Sequence, residues 1–148
     1  MPACCNPTTV TFSRDPARRY FVSFRVEEDI VPLPSTENVI GIDLGISNEV
    51  ALSTGEKVGN PRFLAKGEKQ LAKRERVESR RTPGSKNRAK ARRKANRIHA
   101  RIADKRRNFL HQLTTRLIRE SQTMCVERLS VKNLLQNHTR ALAISDVG

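Results

Sequence analysis

The chain has 148 residues, is 36% hydrophobic and 30% charged, and carries a formal net charge of +14. That length suits one ordinary domain with its own core, and no apolar run approaches the ~20 residues that span a bilayer. Cys4, Cys5 and Cys125 form neither a disulfide framework nor a C-x-x-C zinc spacing, and no signal-peptide pattern opens the chain, so reduced thiols in the cytoplasm are expected.

Residues 1–8, with Pro2 and Pro7, read as irregular. Thr9 to Phe12 reads as a short strand, and Ser13-Arg14-Asp15-Pro16-Ala17-Arg18 as a turn. Tyr20 to Val26 alternates in the strand period of two. Pro32 and Pro34 mark an extended linker into Val39–Ile46, the central strand. Glu49–Ser53 and Lys57–Gly59 flank Thr54-Gly55 as a hairpin. Asn60-Pro61 then offers a helix start, and Phe63 to about Arg81 is rich in good helix formers. Thr82-Pro83-Gly84-Ser85 breaks that helix, with Ser85 as the natural N-cap of the next. From Lys86 to about Ser121 there is neither Pro nor Gly, enough for a helix of roughly 50 Å. Ile98, Ile102, Phe109, Leu113 and Leu117, with Leu110 and Ile118 beside them, fall mostly at spacings of three and four, so one face is expected to be buried. The C-terminal half of this helix is expected to pack on the sheet while its basic half projects with the preceding helix as a hairpin. Met124–Leu129 reads as a strand, and Ser130 as the cap of a short helix reaching about Gln136. The expected divisions are 1–60, a β region; 61–122, a basic helical hairpin; and 123–148, a strand with a C-terminal helix and tail.

The charge is placed unevenly. Lys66–Arg107 holds 18 Lys/Arg and 4 Asp/Glu, a surplus of 14, and the remainder holds 11 of each sign (29 − 18 and 15 − 4). A polyanion-binding element on a neutral body is the reading, with nucleic acid the polyanion. The candidate contacts are Lys69, Lys73, Arg74, Arg76, Arg80 and Arg81 on the first helix. On the second they are Lys86, Arg88, Lys90, Arg92, Arg93, Lys94, Arg97 and Arg101. No aromatics interleave with them, so phosphate contact rather than base stacking is expected.

Two acids stand out against this. Asp43 interrupts the apolar Val39-Ile40-Gly41-Ile42-Asp43-Leu44-Gly45-Ile46, and Glu127 interrupts Met124-Cys125-Val126-Glu127-Arg128-Leu129. An unpaired carboxylate in an apolar strand is costly, and two strands that each present one could share a divalent cation. Otherwise Asp43 is a strand-end Asp and Glu127 half of an exposed pair with Arg128. Asp146 is the one late acid available as a third ligand, and it reads more simply as a tail residue. His99, His111 and His138 form no catalytic pattern, and no phosphate-binding glycine loop is present.

Val39-Ile40-Gly41-Ile42-Asp43-Leu44-Gly45 resembles the first motif of a RuvC-type nuclease, and Val126-Glu127-Arg128-Leu129-Ser130-Val131-Lys132-Asn133-Leu134 its second. With the basic insertion containing Gly84-Ser85-Lys86-Asn87-Arg88, the upstream Ser13-Arg14-Asp15-Pro16 and Arg19-Tyr20-Phe21-Val22-Ser23, and the downstream Ile144-Ser145-Asp146, residues 8–148 resemble the OrfB/TnpB-type insertion-sequence transposase family, relatives of the CRISPR type V effectors. The resemblance implies an α/β fold, an RNase H-like (RuvC) mixed sheet interrupted by a long basic helical hairpin. It implies an RNA-guided DNA endonuclease using Mg²⁺ or Mn²⁺, with Asp43 and Glu127 as metal-binding catalytic acids and DNA and guide RNA as partners. The family's N-terminal recognition region, zinc ribbon and third acidic motif have no counterpart here, and Arg128 stands where the family usually has another acid. An incomplete domain is therefore expected, a truncated fragment weak or inactive in cleavage alone, with the missing part or another copy as a further partner. Two other classes compete: a non-catalytic nucleic-acid-binding module, which would not need Asp43, and an actin-like ATPase, whose first phosphate hairpin Gly41–Asn48 resembles but whose second phosphate loop is lacking.

Overall fold

A computed structural model describes residues 7–128 and Ile144. The expectations for Ser130–Gln136, His138 and Asp146, and for Cys4 and Cys5, lie outside the described residues. Eight elements follow in order: β1 (Thr9–Arg14), β2 (Tyr20–Arg25), β3 (Val39–Leu44), β4 (Asn48–Leu52), β5 (Lys57–Gly59), α1 (Phe63–Ser79), α2 (Lys86–Glu120) and β6 (Thr123–Val126). No helix among them is long and apolar enough to cross a membrane. The residues group into two compact units, Met1–Leu33 with Gln70–Arg101 and Pro34–Lys69 with Ile102–Gly148.

The second unit is built on a mixed sheet of order β5-β4-β3-β6. β3, β4 and β5 form an antiparallel meander, and β6 lies parallel to β3 with Val39↔Thr123, Ile40↔Met124, Gly41↔Cys125 and Ile42↔Val126 in register. A parallel neighbour requires a long crossover, and α1 and α2 fall within it. Alternation along β3 sends Ile40 and Ile42 to one face. There they meet Val50 and Leu52 of β4, Val58 of β5, and Phe109, Leu113 and Leu117 of α2. The three α2 residues recur every fourth position and so form one stripe. The C-terminal half of α2 thus packs on the sheet as its periodicity predicts. Phe63 meets Phe109 edge to face at 6.1 Å, and Arg116 Nη2 donates to Glu56 Oε1 at 2.8 Å. Asn38 aligns β3 with β6: its Nδ2 donates to the Glu120 carbonyl at 3.0 Å, and its own carbonyl accepts from the Gln122 and Thr123 amides.

The first unit pairs the ribbon β1–β2 with the basic parts of both helices. The expected turn closes on Asp15, whose carboxylate accepts from the Arg19 amide at 2.8 Å and from the Arg19 Nε at 2.6 Å. Desolvation acts to raise the Asp15 carboxyl, but these bonds and the Arg19 charge outweigh it and hold the group below its ordinary value of 3.8. Arg18 takes a left-handed φ of 63° to complete the turn. Asn96 Nδ2 of α2 donates to the Pro16 carbonyl at 3.0 Å, so the basic half of α2 packs on this turn rather than merely projecting. Leu71 of α1 and Ala91, Ala95 and Ile98 of α2 are buried in this unit. Ser85 caps α2 as expected, its Oγ accepting from the Arg88 amide at 3.1 Å. α1 departs from expectation at its start. Asn60 Oδ1 accepts from the Arg62 amide at 2.8 Å, and Arg62 adopts φ 51°. That left-handed residue keeps Pro61 out of the first helical turn, and the Arg62 carbonyl accepts the first helical bond, from Lys66.

Candidate functional site

The pairing of β3 with β6 decides where the two acids fall. The last paired positions are Ile42↔Val126, and Asp43 and Glu127 are the next residues along the chain. Residues in register on neighbouring parallel strands share a face, and the strands run about 4.8 Å apart. Ile40 and Ile42 take the face that α2 covers. Asp43, one residue on in β3, therefore belongs to the opposite face; Glu127 is the first residue past β6, which ends at Val126 rather than at Leu129, and both acids are exposed.

Space around Asp43 is set by backbone. A side chain at Gly45 would place its Cβ 2.9 Å from the Asn48 carbonyl oxygen, so the return into β4 closes tightly only because residue 45 has none. The Gly41 amide, two residues before the acid, donates to Ser53 Oγ at 3.0 Å, and the Ser53 amide donates back to the Gly41 carbonyl. Glu49, which sequence reasoning did not single out, is an acid only 5% exposed. It sits where the β4–β5 register slips between Asn48 and Val50. Such an irregularity has no signature in Asn48-Glu49-Val50. Among the described residues, no group of three or more His, Cys, Asp or Glu is placed to hold a metal ion.

The basic candidates lie on the helical pair. α1 carries Lys69, Lys73, Arg74 and Arg76, with Arg80 and Arg81 just past its end; α2 carries Lys86, Arg88, Lys90, Arg92, Arg93, Lys94, Arg97 and Arg101. All are exposed except Arg74, Arg88 and Arg93, which are half-buried. Two acids of α1 bond across to α2. Glu78 Oε1 accepts from Arg92 Nε at 2.9 Å, and Glu75 Oε1 lies 3.4 Å from His99 Nε2. Neither acid touches the cleft on the other flank, lined by Arg74, Val77, Arg81, Asn87, Lys90, Ala91 and Lys94.

The described residues thus join a basic helical pair and a mixed sheet in one chain, with one acid in β3 and another just after β6. Residues 22–138 match the OrfB family model, described as "Probable transposase". The chain belongs to that family. It is 53% identical over 146 residues to the "Putative RNA-guided DNA endonuclease" of Streptomyces pristinaespiralis, covering 99% of this chain and 36% of that protein. It is 30% identical over 117 residues to "Putative RNA-guided DNA endonuclease InsQ" of Escherichia coli strain K12, covering 78% of this chain and 29% of the other. A Mycobacterium tuberculosis protein of the same description is 30% identical over 133 residues, 82% of this chain and 28% of its own length. The chain therefore spans about a third of the length of the curated relatives it matches.

Proposed function

We propose that this chain is a part of an RNA-guided DNA endonuclease, its sheet an RNase H-like (RuvC) domain interrupted by the basic helical pair. The observation that carries the reading is that Asp43, within β3, and Glu127, directly after β6, each follow the last pair of the two strands, Ile42↔Val126. Two hard carboxylate oxygens at neighbouring strand ends suit Mg²⁺ or Mn²⁺, since Mg²⁺ keeps several waters and takes one or two carboxylates. Asp43 and Glu127 would hold the ion, which supplies charge for the attacking and leaving oxygens of a phosphodiester. The chain's own part is to fix the two acids on paired strands. A subset of the basic residues of α1 and α2 holds DNA and guide RNA by their phosphates, leaving sequence to base pairing.

The reading assigns Asp43 and Glu127 to the ion, and cleavage by this chain alone is expected to be weak or absent. The test follows the carboxyl carbons of Asp43 and Glu127 by NMR during Mg²⁺ titration. Joint shifts, lost at both residues in Asp43→Asn, support the reading; silence at either acid removes it. Mg²⁺-dependent DNA cleavage by the purified chain, abolished by Asp43→Ala, would overturn the inactivity. The second reading, a binding module without chemistry, draws on the helical charge alone and predicts nucleic-acid affinity unchanged in Asp43→Asn with no metal response.

A further inference from the structure

The two flanks of the helical pair are not alike. On one, Glu78 of α1 pairs with Arg92 of α2 and Glu75 meets the His99 ring, so these acids of α1 are engaged across this gap. On the other lies a cleft of about 270 Å³ bordered by Arg74, Arg81, Lys90 and Lys94, with Asn87 the one neutral polar residue and Val77 and Ala91 the apolar ones. Among the described residues, no acid lines it. Helical spacing accounts for the division. Arg74, Val77 and Arg81 follow at three and four, as do Asn87, Lys90, Ala91 and Lys94, so each set keeps to one face. Glu75 and Glu78 keep the same three-residue step but start one position later, about 100° further round the helix. The acids of α1 are thereby turned away from the cleft.

Four cations around a small cleft repel one another, and the repulsion is relieved by an anion that each can reach. The volume falls just below the roughly 300–1,000 Å³ of sites for drug-sized ligands, which leaves room for a phosphodiester group and its water. Arg74 and Arg81 offer forked guanidinium donors, Lys90 and Lys94 point charges, and Asn87 an amide. The apolar floor, Val77 and Ala91, offers neither donor nor acceptor, so nothing in the cleft reads a base edge.

We infer that the cleft between Arg74/Arg81 and Lys90/Lys94 is a dedicated seat for the phosphodiester backbone of a nucleic acid, which makes this one flank of the helical pair its binding side. The inference rests on the proposed role of the basic helices and adds where on them the strand runs. By contrast, Lys69, Lys73, Arg76 and Arg80 recur at threes and fours as an exposed stripe opposite buried Leu71.

The experiment compares two full-length variants of equal charge, binding a DNA duplex and an RNA duplex over a salt series. One carries R74Q, R81Q, K90Q and K94Q; the other K69Q, K73Q, R76Q and R80Q. Each phosphate left without its cation flattens the slope of log K against log salt by about 0.9 on duplex DNA. The cleft variant is expected to flatten it by up to about 3.6, so that between 50 and 200 mM salt it loses roughly 150-fold less affinity than the unaltered chain. The stripe variant is expected to change the slope by less than about 1. As a readout without substitution, bound duplex should slow acetylation of Lys90 and Lys94 more than that of Lys69 and Lys73. Equal effects of the two variants overturn the cleft while leaving the basic helices as the binding element. No effect of either overturns both. A loss confined to DNA or to RNA overturns recognition by phosphate alone.

Discussion

Leu117→Ala tests whether α2 holds the sheet in place beneath the two acids. Leu117 is 4% exposed and packs in the cluster with Ile40, Val50, Leu52 and Leu113. Truncation removes about three carbons at about 0.8 kcal/mol each, roughly 2.4 kcal/mol of transfer free energy. The cavity left behind brings the expected loss to about 3 kcal/mol, inside the 2–5 kcal/mol range for such changes. For a chain of this size that lowers Tm by about 6–12 °C. The adjacent Ile118 is 51% exposed. Ile118→Ala forfeits little burial, and Ala is the better helix former, so its effect should stay within about 0.5 kcal/mol. Urea unfolding followed by far-UV circular dichroism is the suitable assay. The chain has no Trp, and its single Tyr lies in β2, outside the unit being tested. A loss below about 1 kcal/mol for Leu117→Ala, or equal losses for the two variants, refutes the packing of α2 on β3 and β4.

Gly67→Ala in α1 should not bring the roughly 1 kcal/mol that replacing a helical glycine normally gives, because the new Cβ would fall 2.7 Å from Ile102 Cδ1. The gain should reappear when the substitution is made in an Ile102→Val background, which lacks that methyl; urea titrations of the four chains measure both effects. At Asp15 the folded carboxyl lies below its ordinary value of 3.8. Its contribution to the β1–β2 turn is therefore complete above about 3.8 and is lost as pH falls through the lower folded value. The Arg19 amide signal should titrate below 3.8 and stop titrating in Asp15→Asn; a midpoint at or above 3.8 contradicts the Arg19 contacts.

Elements with strong local signals were legible. The Ser85 cap, the absence of Pro and Gly from Lys86 onward, and the four-residue recurrence of Phe109, Leu113 and Leu117 define α2 and its buried face. Strand alternation marked β2, and the Thr54-Gly55 break separates β4 from β5. What depends on distant pairing was not legible. Nothing local tells Val39–Leu44 that its parallel neighbour is Thr123–Val126. The ribbon β1–β2 forms a sheet of its own, with Val10, Phe12, Tyr20, Val22 and Phe24 all exposed, although alternation normally signals a face set on a core. Asp43 and Glu127 could be picked out because each interrupts an apolar run. The flank preference of the helical pair could not, because a string of Lys and Arg does not show which acids will find partners across the gap.

The parallel pairing also sets a timetable. Asp43 and Glu127 are 84 positions apart (127 − 43), and a ribosome adding about 5–20 residues per second takes roughly 4–17 s to cover that distance. Throughout that interval the nascent meander β3-β4-β5 displays the bare side of β3, a row of unanswered amides and carbonyls that any other emerging chain can engage. The strand that leads into the second carboxylate is the same one that covers this side of β3, so the open margin passes to the four-residue β6 as the second acid arrives.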